Sequence, residues 1–178
     1  MEVQELITIL ENSFGKNSKI KNCAIRKVYS YSKQMLNCSA EEKIDRINPL
    51  LDSKHVYPKY WGAIIALSYN VLEEKAIKEI IYILDINPKE HDKPLDLNML
   101  KMDAGSYLYD YHKNGVVGSF PGHNAQIKTK VLPNYQHIVG YYKRKYKIWT
   151  NTNLQRVCLS KWVDASFFFI YEIKLIIW

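Results

Sequence analysis

Val3, Leu6, Ile7 and Leu10 recur at the three-and-four spacing of one helix face, and Gly15 supplies the stop. A second amphipathic segment runs from about Ala24 to Leu36. Ser39 followed by Glu41 and Glu42 reads as an N-cap with an acidic first turn, opening a short helix to about Ile47 ahead of Pro49. The longest helical signal runs from Pro58 to Leu84, through Trp61, Ile64, Ile65, Leu67 and Leu72 and then Ala76, Ile77, Ile80 and Leu84. The Asn70 region is where this signal can divide into two helices, and Pro88 and Pro94 mark the polar loop that follows.

Beyond Met102 the pattern changes. Gly105, Gly115, Gly118, Pro121, Gly122, Pro133 and Gly140 punctuate short runs rich in Tyr, Val and Ile, which predicts strands at 106–111, 124–132, 135–142 and 145–150. In the tail Phe167–Trp178, Glu172 and Lys174 alternate with Ile173 and Leu175, the pattern of a terminal strand. The expected fold is α+β, in one domain over 1–178. A helical, near-neutral part (1–103) packs on a small, mostly antiparallel sheet formed by a basic, aromatic part (104–178).

Composition narrows the class. With 178 residues and 47% of them hydrophobic, the chain can build a core without disulfides or metal, which excludes wholesale disorder. No apolar run approaches the roughly 18 residues of a membrane-spanning helix, and MEVQELITIL lacks the basic start and cleavage site of a secretion signal. Three cysteines (Cys23, Cys38, Cys158) cannot all pair within the chain, which points to a reducing, cytoplasmic setting.

Charge changes the picture most. The net charge is +7, yet residues 1–110 hold 15 basic against 16 acidic side chains. Residues 111–163 hold nine basic residues (Lys113, Lys128, Lys130, Lys143, Arg144, Lys145, Lys147, Arg156 and Lys161) and no acidic one. Eight aromatic residues are interleaved with them. Lysine and arginine on phosphates release counterions, and aromatic rings stack on unpaired bases, so the stretch points to RNA or single-stranded DNA. The binding residues expected are Lys130, Tyr142, Lys143, Arg144, Lys145, Tyr146 and Lys147. A strand at this place puts Lys143, Lys145 and Lys147 on one face and Tyr142, Arg144 and Tyr146 on the other. The competing explanations are a solvated basic edge that discourages aggregation, an acidic protein partner, or an anionic lipid surface.

Candidate chemistry follows from the same stretch. Metal-independent RNA cleavage needs a base, an acid and cations for the phosphorane charge. His112, His123 and His137 with Lys128 supply those types, and His123 stands out because a Pro-Gly turn precedes it. Ordinary surface histidines are the plainer explanation. No metal or cofactor is expected. Asp96, Asp103 and Asp110 are the nearest carboxylates, Gln126 stands where a metal nuclease wants Glu, and no Cys or His pair has zinc spacing. A thiol-hydrolase alternative places Cys23 at a helix start near Lys21, Arg26 and Lys27, with His123 downstream in papain-like order. A third alternative is an assembly protein, or a homo-oligomer, using the apolar strand Phe167–Ile170 and the Ile176–Trp178 end. Phosphate-binding glycine loops and the nucleophile elbow of α/β-hydrolases are absent from the sequence.

Overall fold

The computed structural model describes residues 1–115, 117 and 135–148, and every regular element among them is helical. The elements are α1 (Val3–Ser13), α2 (Ser18–Gln34), α3 (Ala40–Leu51), α4 (Val56–Ser68), α5 (Glu73–Asp85), a 3-10 turn at Pro88–Glu90, α6 (Pro94–Asn114) and α7 (Gln136–Lys145). The α+β expectation is therefore overturned for the described residues, which form a helical bundle without a strand.

The first five helices arise from local signals. Asn17 caps α2 by accepting the Ile20 amide hydrogen. Ser39 and Glu42 exchange bonds with each other's backbone amides, a complete capping box at the start of α3. That helix runs past Ile47 to Leu51 with Pro49 inside it. Proline forfeits one backbone bond there, and the full burial of Ile47, Leu50 and Leu51 outweighs the loss. Helices α4 and α5 are separate, as the Asn70 region suggested. Asn70 and Leu72 both take φ of 53°, and the Val71 amide returns to the Ala66 carbonyl at 3.0 Å.

Helix α4 is buried on nearly all sides, from Tyr57 to Ser68, with Lys59 as the polar exception. Lys59 reaches out of the core to Glu79 at 2.7 Å and to the Leu51 carbonyl at 3.1 Å. Around α4 pack α3 and α5 most extensively, with α1 and α6 completing the shell. Gly62 lets α3 come close, because a Cβ at this position would stand 2.8 Å from Leu50 Cβ and 3.1 Å from the Leu51 nitrogen. The core is continuous from Leu6 to Tyr142.

The strand expected at 106–111 lies inside α6. Leu97, Leu100, Ala104, Leu108 and Tyr111 are buried at spacings of three and four, so the helical period outweighs the β propensity of the tyrosines. Gly105, taken from sequence as a turn, packs instead. The Tyr135 ring occupies the space a side chain would fill, which seats the start of α7 on α6. Pro94 opens α6 at its first turn, and Gly115 closes it with φ of 68°. The strand expected at 135–142 is α7, whose buried residues Ile138, Val139 and Tyr142 again share a helical face. Residues 145–148 finish that helix rather than open a strand. The strands expected at 124–132 and along Phe167–Trp178 lie outside the described residues.

Candidate nucleic-acid interface

Helix α7 packs on α5 and α6 through Ile138, Val139 and Tyr142. At 100° per residue, the face opposite these three carries His137, Gly140, Tyr141 and Arg144. His137, Tyr141 and Arg144 are exposed, and Tyr141 keeps 43% of its surface in solvent. From the last turn of α6, His112 sets its ring edge-on to Tyr141 at 5.0 Å and to Tyr142 at 5.4 Å. Lys113 lies beside it, over the Tyr109 ring at 5.9 Å. Two of the three histidines singled out from sequence thus stand on neighbouring helices, both exposed. His123, Lys128 and Lys130 lie outside the described residues.

The basic run divides by helical position, not by strand alternation. Lys143 and Lys145 flank the buried face and reach toward opposite ends of α5. Lys143 pairs with Asp85 at 2.7 Å, and Lys145 pairs with Glu73 at 3.0 Å. The Tyr146 hydroxyl donates to the same Glu73 carboxylate. Glu73 and Asp85 are twelve residues apart, roughly 18 Å along α5, so the last turn of α7 is held at both ends of that helix. The Tyr146 hydroxyl and the Lys145 ammonium hold the Glu73 carboxyl below its usual range. Lys145 also lies over the Tyr146 ring at 4.8 Å, and Tyr146 stacks on Tyr142 at 6.0 Å. Tyr142 is buried, and desolvation pushes its hydroxyl well up.

The same run therefore divides into two sets. Lys143, Lys145, Tyr142 and Tyr146 dock α7, although the sequence pointed to all four as ligand-binding groups. Arg144 and Lys147 make no ion pair with any described residue and are exposed.

Lys147 also sits in a special conformation. The amide of Ile148 donates to the Lys143 carbonyl at 2.9 Å, and that of Lys147 to Arg144 at 3.4 Å, a Schellman ending with Lys147 at φ of 51°. Glycine suits this position better than a lysine does. Lys147→Gly is expected to raise stability by about 0.5–1 kcal/mol, read as an increase in Tm. A fall in Tm would show that the lysine side chain makes a compensating contact.

No family model, curated protein or solved structure matches this chain.

Other chemistry read from sequence changes on folding. Cys23 is exposed, but it is the sixth residue of α2 and does not stand at the helix N-terminus. That removes the helix N-terminus from the argument for a thiol nucleophile, and leaves only the neighbouring Lys21, Arg26 and Lys27 of the same helix. Asp96, Asp103 and Asp110 all lie on α6 at intervals of seven residues, roughly 10 Å each, too far apart to share one ion. Asp96 pairs with Lys21, Asp110 is buried, and partial desolvation raises the Asp103 carboxyl. Among the described residues no group of acids, histidines and cysteines forms a metal site, and no helix is long and apolar enough to cross a membrane. Sequence reasoning passed over His55 and His91. They belong to the near-neutral part of the chain, where charge pattern drew no attention, yet the fold brings both to one cleft.

Proposed function

We propose that the outward face of α7, with the end of α6, binds single-stranded nucleic acid. One observation carries the reading: an exposed tyrosine shares these surface elements with exposed cations, Lys113, Arg144 and Lys147, that no carboxylate neutralises among the described residues. Tyr141 offers a ring face, and Gly140 beside it keeps the surface low, since a Cβ there would meet nothing nearer than Arg144 Nη1 at 3.6 Å. Arg144 follows Tyr141 by three residues on the same helix face, and exposed Lys147 lies just past the helix end. Exposed Lys113 follows His112, whose ring meets Tyr141, and His112 and His137 add polar ring nitrogens. Stacking on one aromatic ring supplies about 1–3 kcal/mol per base without regard to sequence. The lysine and arginine heads supply the salt-sensitive part.

A platform of this size holds few nucleotides, so binding is weak and sequence-tolerant. The fluorescence anisotropy of a labelled RNA or DNA single strand is expected to rise with protein at about 50 mM salt. With three phosphates contacted, the affinity falls on the order of tenfold or more by about 200 mM. No binding of either strand at low salt would refute the reading.

A further inference from the structure

On another side of the bundle, a cleft of about 230 Å³ opens where α1, α4, α5 and the loop before α6 meet. Phe14 and Tyr57 are buried with their rings 5.3 Å apart and form an aromatic wall. Tyr82 lies at the cleft with 53% of its surface exposed. His91 stands edge-on to Phe14 at 5.8 Å. The ring nitrogen Nδ1 of His91 lies 3.0 Å from both the Lys93 amide nitrogen and a carboxylate oxygen of Asp92, which leaves Nε2 without a described partner. His55 keeps 62% of its side chain in solvent, with Nε2 3.6 Å from a Glu11 carboxylate oxygen.

The charges of this cleft are unevenly matched. Glu11 faces His55, and the Asp92 side chain beside His91 is 76% exposed, so water screens it. Lys93 is the inward cation, and its ammonium donates to the Phe14 carbonyl at 2.8 Å and lies over the Phe14 ring at 5.6 Å. No carboxylate of a described residue pairs with it, and the same holds for Lys54 at the rim. Gly15 makes room for this arrangement. Its φ of 75° excludes most side chains, and a Cβ there would overlap the Lys93 stem. A partly buried ammonium held among a carbonyl and ring faces is short of an anion.

We infer that this cleft is a binding site for a nucleoside monophosphate, a phosphate monoester joined through a sugar to a flat ring. Lys93, Lys54 and the imidazoles of His91 and His55 offer more donor heads than a carboxylate has oxygens, which favours the three oxygens of a phosphate. The ring is taken by the aromatic wall and Tyr82. The inference does not rest on the α7 reading, since the two surfaces share no residue.

The test uses the full chain and adenosine 5′-monophosphate as the probe, with histidine ring signals followed by NMR. Saturable shifts of the His55 and His91 signals at millimolar nucleotide are expected. Lys54→Gln, an exposed change that leaves packing intact, and Lys93→Gln are each expected to weaken binding about tenfold, the loss of one charge-assisted bond. Adenosine and inorganic phosphate alone are expected to bind more weakly than the joined molecule. The absence of saturable shifts up to about 10 mM overturns the site. Adenosine binding as tightly as the nucleotide overturns the oxyanion assignment, and unchanged affinity in the folded Lys54→Gln and Lys93→Gln variants does the same.

Discussion

Replacing Lys113, Arg144 and Lys147 together with Gln is expected to remove most binding to a single strand while the protein stays folded. Each of the three is exposed and none has a carboxylate partner among the described residues, so their loss leaves no buried charge behind. Each phosphate contact removed lowers the salt slope by about one, and the triple change is expected to cost on the order of ten- to a hundredfold in affinity near 50 mM salt. Tyr141→Ala in the parent background is expected to remove about 1–3 kcal/mol of binding with little change in salt slope, because stacking is not ionic. The contrasting pair is Lys143→Gln with Lys145→Gln. These two bind Asp85 and Glu73, so their replacement is expected to loosen α7, by about 1 kcal/mol for each solvent-accessible pair. If the folded triple variant binds like the parent, the binding surface lies elsewhere.

Gly62→Ala is expected to destabilise the protein by about 1–3 kcal/mol, whereas Gly140→Ala is expected to stabilise it by about 0.5–1 kcal/mol. Both glycines are helical, and both substitutions gain the helix propensity of alanine. They differ in what the new methyl meets. At Gly62 it stands 2.8 Å from Leu50 Cβ, 3.1 Å from the Leu51 nitrogen and 3.2 Å from the Leu50 carbonyl carbon. These atoms cannot rotate away, so α3 and α4 must separate and the fully buried Leu50 and Leu51 lose their packing. At Gly140 the neighbour is the mobile end of Arg144 at ordinary contact distance. Thermal unfolding reads both, with roughly 2–4 °C per kcal/mol expected for a chain of this length. Equal and small shifts of the same sign would mean that α3 is free to slide on α4.

The residues that disclosed their structure in sequence were those whose signals are local. The heptad-like spacing of Leu6 and Leu10, the Ser39–Glu42 cap and the break near Asn70 all depend on neighbours within a few positions. The later chain favours strands by composition and a helix by period, and in the described part the period decides. Tyr107, Tyr109 and Tyr111 favour strands by type, while Leu97, Leu100, Ala104, Leu108 and Tyr111 fall on one helix face. Gly105 carries no sign in sequence that it receives the Tyr135 ring.

The candidate surface was legible in part. Its positive bias is plain from residues 111–163, but two of its lysines find their acids 58 and 72 positions earlier, a pairing only the fold creates. The cleft of His55, His91, Lys54 and Lys93 draws on four separate segments, and no short window of sequence contains it.

The packing of α4 also bears on the order in which the molecule assembles. Its most extensive contacts are with α3 and α5, the helices immediately before and after it, joined by short connections. Closing such neighbours costs little chain entropy, so the three helices are expected to form a fast nucleus around Ile64 and Ile65. Helix α7 reaches the bundle through contacts distant in sequence, the packing of Ile138, Val139 and Tyr142 and the pairings with Glu73 and Asp85. It is expected to dock on a scaffold already made. Amide hydrogen exchange should follow the same order. The amides of α4 are expected to open only with the whole protein, and those of α7 to exchange through a local opening that leaves α4 undisturbed. Equal protection in the two helices would mean that α7 is part of the cooperative core.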